Sequence, residues 1–195
     1  MEIEKIRIVL MSVLLAANFL LADEPKGNRE TAEAWRILEG IRSGSAWGMP
    51  EMHRYLPRLW KLKDPEVARV LIDTLEMSPL LQHYVLLKLG EIKSTHALPK
   101  IISIARRGVP WWVQSTAIAV LGEIKHPASI TTLLDILESK EKEDDVKNRI
   151  IRIRCSISLH QITGEGEQLS LEISPQKANE IFSFWKRWGK ENRAK

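Results

Sequence analysis

The feature that most constrains the fold of this chain is an internal repeat. The pentapeptide Leu-Gly-Glu-Ile-Lys occupies residues 89–93 and returns, identical, 32 positions later at residues 121–125. A weaker copy begins 30 residues before the first, at 59–63, and another begins 38 residues after the second, at 159–163. Self-similarity at a period of roughly 20 to 50 residues is typical of proteins built from stacked supersecondary units. The sequence therefore predicts a modular architecture.

The residues that flank the pentapeptide repeat as well. Apolar side chains stand eight and four positions before its first residue in three copies: Leu81, Val113 and Ile151, then Val85, Ala117 and Cys155. Steps of three and four residues follow the period of an α-helix. Several segments begin near a proline, which is tolerated in a first helical turn because the N–H it lacks would be unpaired there. We expect helices at 31–43, 49–62, 65–77, 79–92, 96–107, 110–124, 127–139, 145–162 and 175–190.

Each repeat unit therefore contains two helices, and one such pair cannot bury its apolar face alone. Stacked pairs bury a continuous core, which produces a solenoid. The sequence predicts an all-α fold of about four helix pairs over residues 31–163. The expected repeat core comprises Leu89, Ile92, Leu121, Ile124, Cys155, Leu159 and Ile162.

The pattern resembles a known family. Residues 81–93, residues 113–125 and the helices that follow them are similar to HEAT repeats of the short bacterial type, also called phycobilisome-lyase-like HEAT repeats. The resemblance covers roughly residues 50–163. It implies a right-handed α-solenoid with terminal capping helices, in which the second helix of each pair usually lines the concave side.

The C-terminal region is predicted to cap the solenoid. A Gly-containing loop at 164–174 follows the repeats. The last segment, 175–195, begins with a helix over 175–190 and ends in a basic tail. An apolar stripe at helical spacing lies on it, formed by Ile181, Phe182, Trp185 and Trp188. This helix is similar to the Trp-bearing C-terminal helix of many exported bacterial HEAT proteins.

The N-terminal segment predicts export. Lys5 and Arg7 precede an apolar run over residues 8–22, and a polar linker follows at 23–30. A basic start, a short apolar run and a small residue at its end are typical of a secretory signal. These 15 residues rise only about 22 Å as a helix, short of a hydrocarbon core of about 30 Å. We expect a signal peptide at 1–22 and a periplasmic or extracellular protein; a buried helix and an uncleaved membrane anchor are the alternatives.

No residue pattern in the sequence predicts catalysis. The chain has one cysteine and five histidines, without zinc-ligand spacing, a Gly-rich phosphate loop or a nucleophile elbow. Cys155 shares a column with Ala117 and Val85, a core position where free cysteine behaves as a small hydrophobe. We therefore expect no catalytic residue, no metal and no cofactor.

Polar residues of the second helices predict a binding surface. Gln82, Gln114 and Arg152 share one column, and Arg149 lies three residues before the last of these, so that the four should form a polar ridge. HEAT repeats often have Arg in this column, which Arg152 matches and the glutamines do not. Trp112 is the second of two consecutive tryptophans, which point about 100° apart on a helix and cannot easily enter one core together. An exposed Trp is a favoured contact anchor. We expect the ridge and Trp112 to bind the partner; an ordinary solvated face is the alternative.

Three functions fit this description. The leading hypothesis is an exported, non-enzymatic module that binds or scaffolds another protein or a peptide. The net charge of +4 leaves nucleic-acid binding along a basic concave face as an alternative, although the export signal argues against it. The third is a lyase-like HEAT-repeat enzyme or a chaperone. The identity of the partner cannot be read from the sequence.

Overall fold

The computed structural model describes residues 29–43, 49–76, 78–107, 110–140 and 145–192. The predicted signal peptide, most of the predicted linker and the last three residues of the tail lie outside the described residues. Within them the fold is helical, without a β-strand. No helix of the described part combines the length and the apolar composition needed to cross a membrane.

Every helix expected from the sequence is found. In the described residues the α-helices are α1 Arg29–Ser43, α2 Met49–Lys61, α3 Val67–Asp73, α4 Pro79–Glu91, α5 Leu98–Arg107, α6 Trp111–Ile124, α7 Ser129–Ser139, α8 Val146–Thr163 and α9 Pro175–Asn192. A short 3-10 helix, Thr95–Ala97, leads into α5. The bounds agree with expectation to within two residues, except that α3 ends at Asp73 and not at residue 77; α1 begins in the predicted linker.

Local hydrogen bonds explain several helix starts and one clear helix end. The side chains of Ser78, Asp145 and Ser174 each accept a hydrogen bond from the backbone N–H three residues later, at 3.3, 2.8 and 3.2 Å. These contacts satisfy donors that a helix start leaves unpaired. Gly164 ends α8 with φ of 75°, a left-handed conformation that favours glycine.

The helices pack in two rows that follow chain order. In the first row α1 contacts α3, α3 contacts the 3-10 helix, α5 contacts α7, and α7 contacts α9. In the second row α2 contacts α4, α4 contacts α6, and α6 contacts α8. Consecutive helices also pair across the rows, as in α1 with α2, α3 with α4, α5 with α6, and α7 with α8. Successive helix pairs therefore lie side by side, as the repeat predicts.

The core is continuous along this stack. Helix α6 contacts four neighbours, α4, α5, α7 and α8, which explains why its sequence is apolar on nearly every side. The predicted repeat core is buried at Leu89, Leu121, Ile124, Cys155 and Leu159. Ile92 and Ile162 are partly buried and pack against the same cluster.

The glycine of the pentapeptide marks the contact between successive repeats. A β-carbon on Gly90 would collide with the carboxylate of Glu123, and one on Gly122 would collide with the side-chain amide of Gln161. Glu123 and Gln161 occupy the third pentapeptide position in the next copy along the chain. The glycine therefore allows a polar side chain of the next helix to approach closely, which gives Gly90 and Gly122 a packing role.

Helix α9 packs against α7 and α8 at the end of the stack. Ile181, Phe182 and Trp185 of its predicted apolar stripe are buried, and Trp188 is partly buried. The rings of Trp185 and Trp188 meet edge to face, with centroids 5.6 Å apart. The C-terminal helix is thus joined to the same core as the repeats.

Candidate protein-interaction surface

The glutamines predicted to form an exposed polar ridge have a structural role instead. Gln114 exposes only 3% of its surface, and its Nε2 donates a hydrogen bond of 2.8 Å to the carbonyl oxygen of Ala105. Gln82 is half-buried and donates in the same way to the carbonyl oxygen of Leu75. Ala105 lies in the last turn of α5 and Leu75 lies two residues after α3, where carbonyl groups lack helical partners. The ridge prediction is therefore wrong for this column, which joins the two helices of a pair.

The third member of the column contacts the last helix. The guanidinium of Arg152 lies 3.9 Å from the centroid of the Phe182 ring, a cation–π contact between α8 and α9. Arg152 is half-buried in this position, which corrects its predicted place on an exposed ridge. Arg149 is half-buried as well, and its role in partner binding stays a prediction.

The two consecutive tryptophans lie in different environments, as their spacing predicts. Trp111 exposes 38% of its surface. Trp112 is half-buried, packs against the core and meets His83 edge to face, with ring centroids 5.6 Å apart. The more exposed of the two is Trp111, which corrects the choice of Trp112 as the exposed anchor.

Trp112 ends a row of aromatic rings that no sequence pattern indicated. This aromatic row consists of Trp60 on α2, Tyr84 and His83 on α4, and Trp112 on α6. Neighbouring centroids lie 6.4, 5.2 and 5.6 Å apart, and each pair meets edge to face. All four side chains are half-buried. Because the rings stand at different positions of the repeat, periodicity did not reveal them.

A hydrogen bond between His83 and a hydroxyl group of α6 connects the aromatic row to that helix. Nδ1 of His83 lies 2.8 Å from Thr116 Oγ1, which donates its own hydrogen bond to the carbonyl oxygen of Trp112 at 3.0 Å. A hydroxyl carries one proton, so this network assigns the proton to Nδ1 of His83 and leaves Nε2 as an acceptor. Burial lowers the pKa of His83, which favours the uncharged ring at neutral pH.

The aromatic row borders a cavity at its α2 end. This apolar slot has a volume of about 290 Å³ and is lined by Leu56, Pro57 and Trp60 of α2 and by Tyr84 of α4. Two of the four lining residues, Trp60 and Tyr84, belong to the aromatic row. The row and the slot therefore form one surface across α2, α4 and α6.

Residues 68–153 match the family model for HEAT repeats. The matched segment contains both identical copies of the pentapeptide and supports the resemblance drawn from the sequence. The comparisons with curated proteins and with solved structures gave no match. HEAT repeats commonly mediate contacts between proteins.

An ion-pair network holds α2 against α4. Lys88 of α4 is fully buried, and its Nζ donates to Glu91 at 3.0 Å and to the carbonyl oxygen of Trp60 at 3.2 Å. Lys63, which follows α2, pairs with the same carboxylate. Hydrogen bonds from Lys63 and Lys88 lower the pKa of Glu91. The position of Trp60 is thereby fixed relative to Tyr84.

The single cysteine of the chain lies in the core. Cys155 is fully buried, and burial raises the pKa of its thiol. Since the thiolate is the reactive form, this environment disfavours nucleophilic chemistry at Cys155. Among the residues that the structure describes, no three His, Cys, Asp or Glu side chains are arranged to hold a metal ion.

Proposed function

We propose that this HEAT-repeat chain is an exported, non-enzymatic module that binds another protein or a peptide. Its helix pairs form a right-handed α-solenoid, and the row of α2, α4, α6 and α8 lines the concave side, as the family resemblance implies. The observation that carries the proposal is the aromatic row, Trp60, Tyr84, His83 and Trp112, which crosses three successive second helices. Tyrosine and tryptophan combine large apolar area with a polar group and are enriched at protein interfaces.

The fixed geometry of the row supports a binding role. Each ring meets its neighbour edge to face, His83 is bonded to Thr116, and the backbone of Trp60 accepts a hydrogen bond from Lys88. Side chains already held in one rotamer lose little conformational entropy when a partner binds. A partner would therefore meet a surface that needs little rearrangement.

Two parts of the proposal rest on separate observations. Export rests on the apolar run at residues 8–22 and the small residue Ala22 at its end. A role without catalysis rests on the core position of Cys155, whose thiol is removed from solvent.

Capture of a partner tests the binding role. The immobilised protein is exposed to an envelope extract of the source organism and compared with Trp112→Ala and His83→Gln, which remove one ring each. Leu171→Ala is the matched control because Leu171 is 46% exposed outside the row. We expect one protein to be enriched by the parent and the control and lost by both row variants, each of which is still folded at the temperature of the capture. Equal capture by all four proteins would exclude the row as the contact surface.

The mature N-terminus tests export. Expression of the full chain followed by N-terminal sequencing should give a protein that begins at Asp23 in the exported fraction. A full-length chain that stays in the cytoplasmic fraction would contradict this part of the proposal without affecting the binding role.

A further inference from the structure

Helix α2 separates the apolar slot from a groove of opposite character. This cationic groove has a volume of about 480 Å³ and lies between α1, α2 and the residue that follows α2. Its lining comprises Arg29, Glu30, Glu33, Arg36, Arg58, Lys61 and Leu62. This lining therefore contains two more cationic side chains than carboxylates.

The carboxylates of the cationic groove are already engaged. Glu33 accepts hydrogen bonds from Arg58 Nη2 at 2.6 Å and Nε at 3.0 Å. Glu30 accepts from the backbone N–H groups of Asp64, at 2.8 Å, and of Lys63. The groove thus carries positive charge that its own acidic side chains do not neutralise.

Two cations of the groove are available to a ligand. Arg29 and Lys61 are exposed, and neither has a carboxylate within 4 Å in the part of the chain that the structure describes. Arg36 lies 3.8 Å from Glu33, at the outer limit of an ion pair, and its side chain is 69% exposed. Charge complementarity therefore favours an anionic group in this groove.

The slot and the groove lie on neighbouring faces of one helix. Pro57 and Trp60 line the slot, and the residues directly after them, Arg58 and Lys61, line the groove. Consecutive residues of an α-helix point about 100° apart, and a helix with its side chains is about 10 Å wide. An extended peptide advances about 3.3 Å per residue, so it crosses α2 in about three residues.

We propose that α2 binds an extended peptide in which an apolar residue enters the slot and, of two acidic residues three and four positions later, at least one faces the cationic groove. This inference rests on the proposed protein-binding function and specifies the class of partner. The apolar side chain packs against Trp60 and Tyr84, and a carboxylate of the acidic pair binds Arg29 or Lys61. A purely apolar ligand would occupy the slot without contacting the cations of the groove. A purely anionic ligand would bind the groove and leave the slot empty.

Defined peptides test the inference. The probe is a fluorescein-labelled peptide of 12 residues with Leu-Pro at its centre and Asp and Glu three and four positions after the leucine. Two control peptides replace the acidic pair by lysines or the Leu-Pro pair by serines. Fluorescence anisotropy with the full-length parent protein should give at least tenfold tighter binding to the probe than to either control. Equal binding to all three peptides, or no binding to the probe, would overturn the inference.

Protein variants assign each half of the surface. Lys61→Glu and Arg29→Glu, at exposed positions, should weaken probe binding at least tenfold, whereas Arg187→Glu makes the same charge change on the exposed side of α9 and should leave it unchanged. Tyr84→Ser should weaken probe binding at least fivefold and leave the serine control peptide unaffected. Unchanged probe binding in Lys61→Glu would overturn the inference even if Tyr84→Ser failed to fold.

The same measurements distinguish this inference from its alternatives. A single-stranded oligonucleotide that binds as tightly as the probe, and responds to Lys61→Glu but not to Tyr84→Ser, would identify the groove as a general polyanion site and overturn the peptide proposal. If the probe does not bind while an envelope partner is still captured in a Trp112-dependent manner, the inference is wrong and the proposed function stands. If the probe binds as expected while no envelope partner is captured, the inference stands and the proposed capture of an envelope protein fails.

Discussion

Gly122 of α6 faces Ser158 of α8 so closely that a β-carbon on the glycine would lie 2.8 Å from the serine Cβ. The equivalent glycine one repeat earlier, Gly90, faces the end of the long Glu123 side chain and the methyl groups of Val120, at 3.2 and 3.3 Å. The two identical pentapeptides therefore meet different neighbours. One glycine faces atoms that cannot move away, and the other mainly faces a flexible side chain.

This difference predicts unequal effects of the same substitution. Gly122→Ala should lower the free energy of unfolding by about 1–3 kcal/mol, since overpacking against Ser158 forces the backbones apart. Gly90→Ala should be nearly neutral, because Glu123 can turn aside and alanine gains up to about 1 kcal/mol of helix propensity. Urea unfolding of both variants measures the difference. Equal destabilisation would show that the helices separate equally at both contacts.

The buried glutamine column gives a second prediction. Gln114→Leu should cost about 1–3 kcal/mol of stability, because it leaves the buried carbonyl of Ala105 without its donor. Gln82→Leu, at the half-buried equivalent, should cost less, since water can reach the carbonyl of Leu75. Thermal or urea unfolding of the two variants tests the order. A larger loss for Gln82→Leu would contradict the assigned roles.

The helices could be predicted because their apolar period, their prolines and their repeat all indicated the same arrangement. The misjudged helix was α3, expected at 65–77 and found at Val67–Asp73. There the backbone N–H groups of Thr74 and Leu75 bond to carbonyls three residues back, at 3.1 and 3.2 Å. The chain keeps turning in a tighter 3-10 manner, which side-chain periodicity does not distinguish from an α-helix.

The proposed binding surface was harder to predict for a physical reason. Gln114 and Gln82 are polar residues in a regular column, which is typical of a solvated face. Their amides face the protein interior because they donate hydrogen bonds to carbonyl groups that have no helical donor. The aromatic row joins Trp60 to Trp112 through positions that are not equivalent in the repeat. Only the packing of α2, α4 and α6 brings these rings together.

The register of the repeat gives a third prediction. Leu121 is fully buried between helices, so Leu121→Asp places an unpaired charge in the core. We expect a loss of several kcal/mol, on the order of 4, and a large drop in melting temperature. Leu171→Asp is the matched control, because Leu171 is 46% exposed and should tolerate the charge. A Leu121→Asp protein that melts like the parent would show that the repeat has been aligned incorrectly.

His83 gives a prediction for the pH dependence of stability. Burial lowers the pKa of His83 in the folded protein below its ordinary value of about 6.5. As pH falls through that ordinary value, the unfolded chain takes up a proton that the folded protein does not, so His83 makes the protein less stable in acid. Thr116, Trp112 and Tyr84, which contact the ring, carry no carboxylate that could stabilise a charged imidazole. The loss of stability should therefore begin just below neutrality.

His83→Gln isolates this contribution, because glutamine keeps a polar group near Thr116 and cannot titrate. Urea unfolding of the parent and of His83→Gln at pH 7.5 and pH 5.5 gives two differences in the free energy of unfolding. We expect the parent to lose more stability than the variant between these pH values. The other titrating groups are common to both proteins and cancel in the comparison. An equal loss in the two proteins would mean that solvent reaches the His83 ring, and that the aromatic row is more open than its edge-to-face contacts indicate.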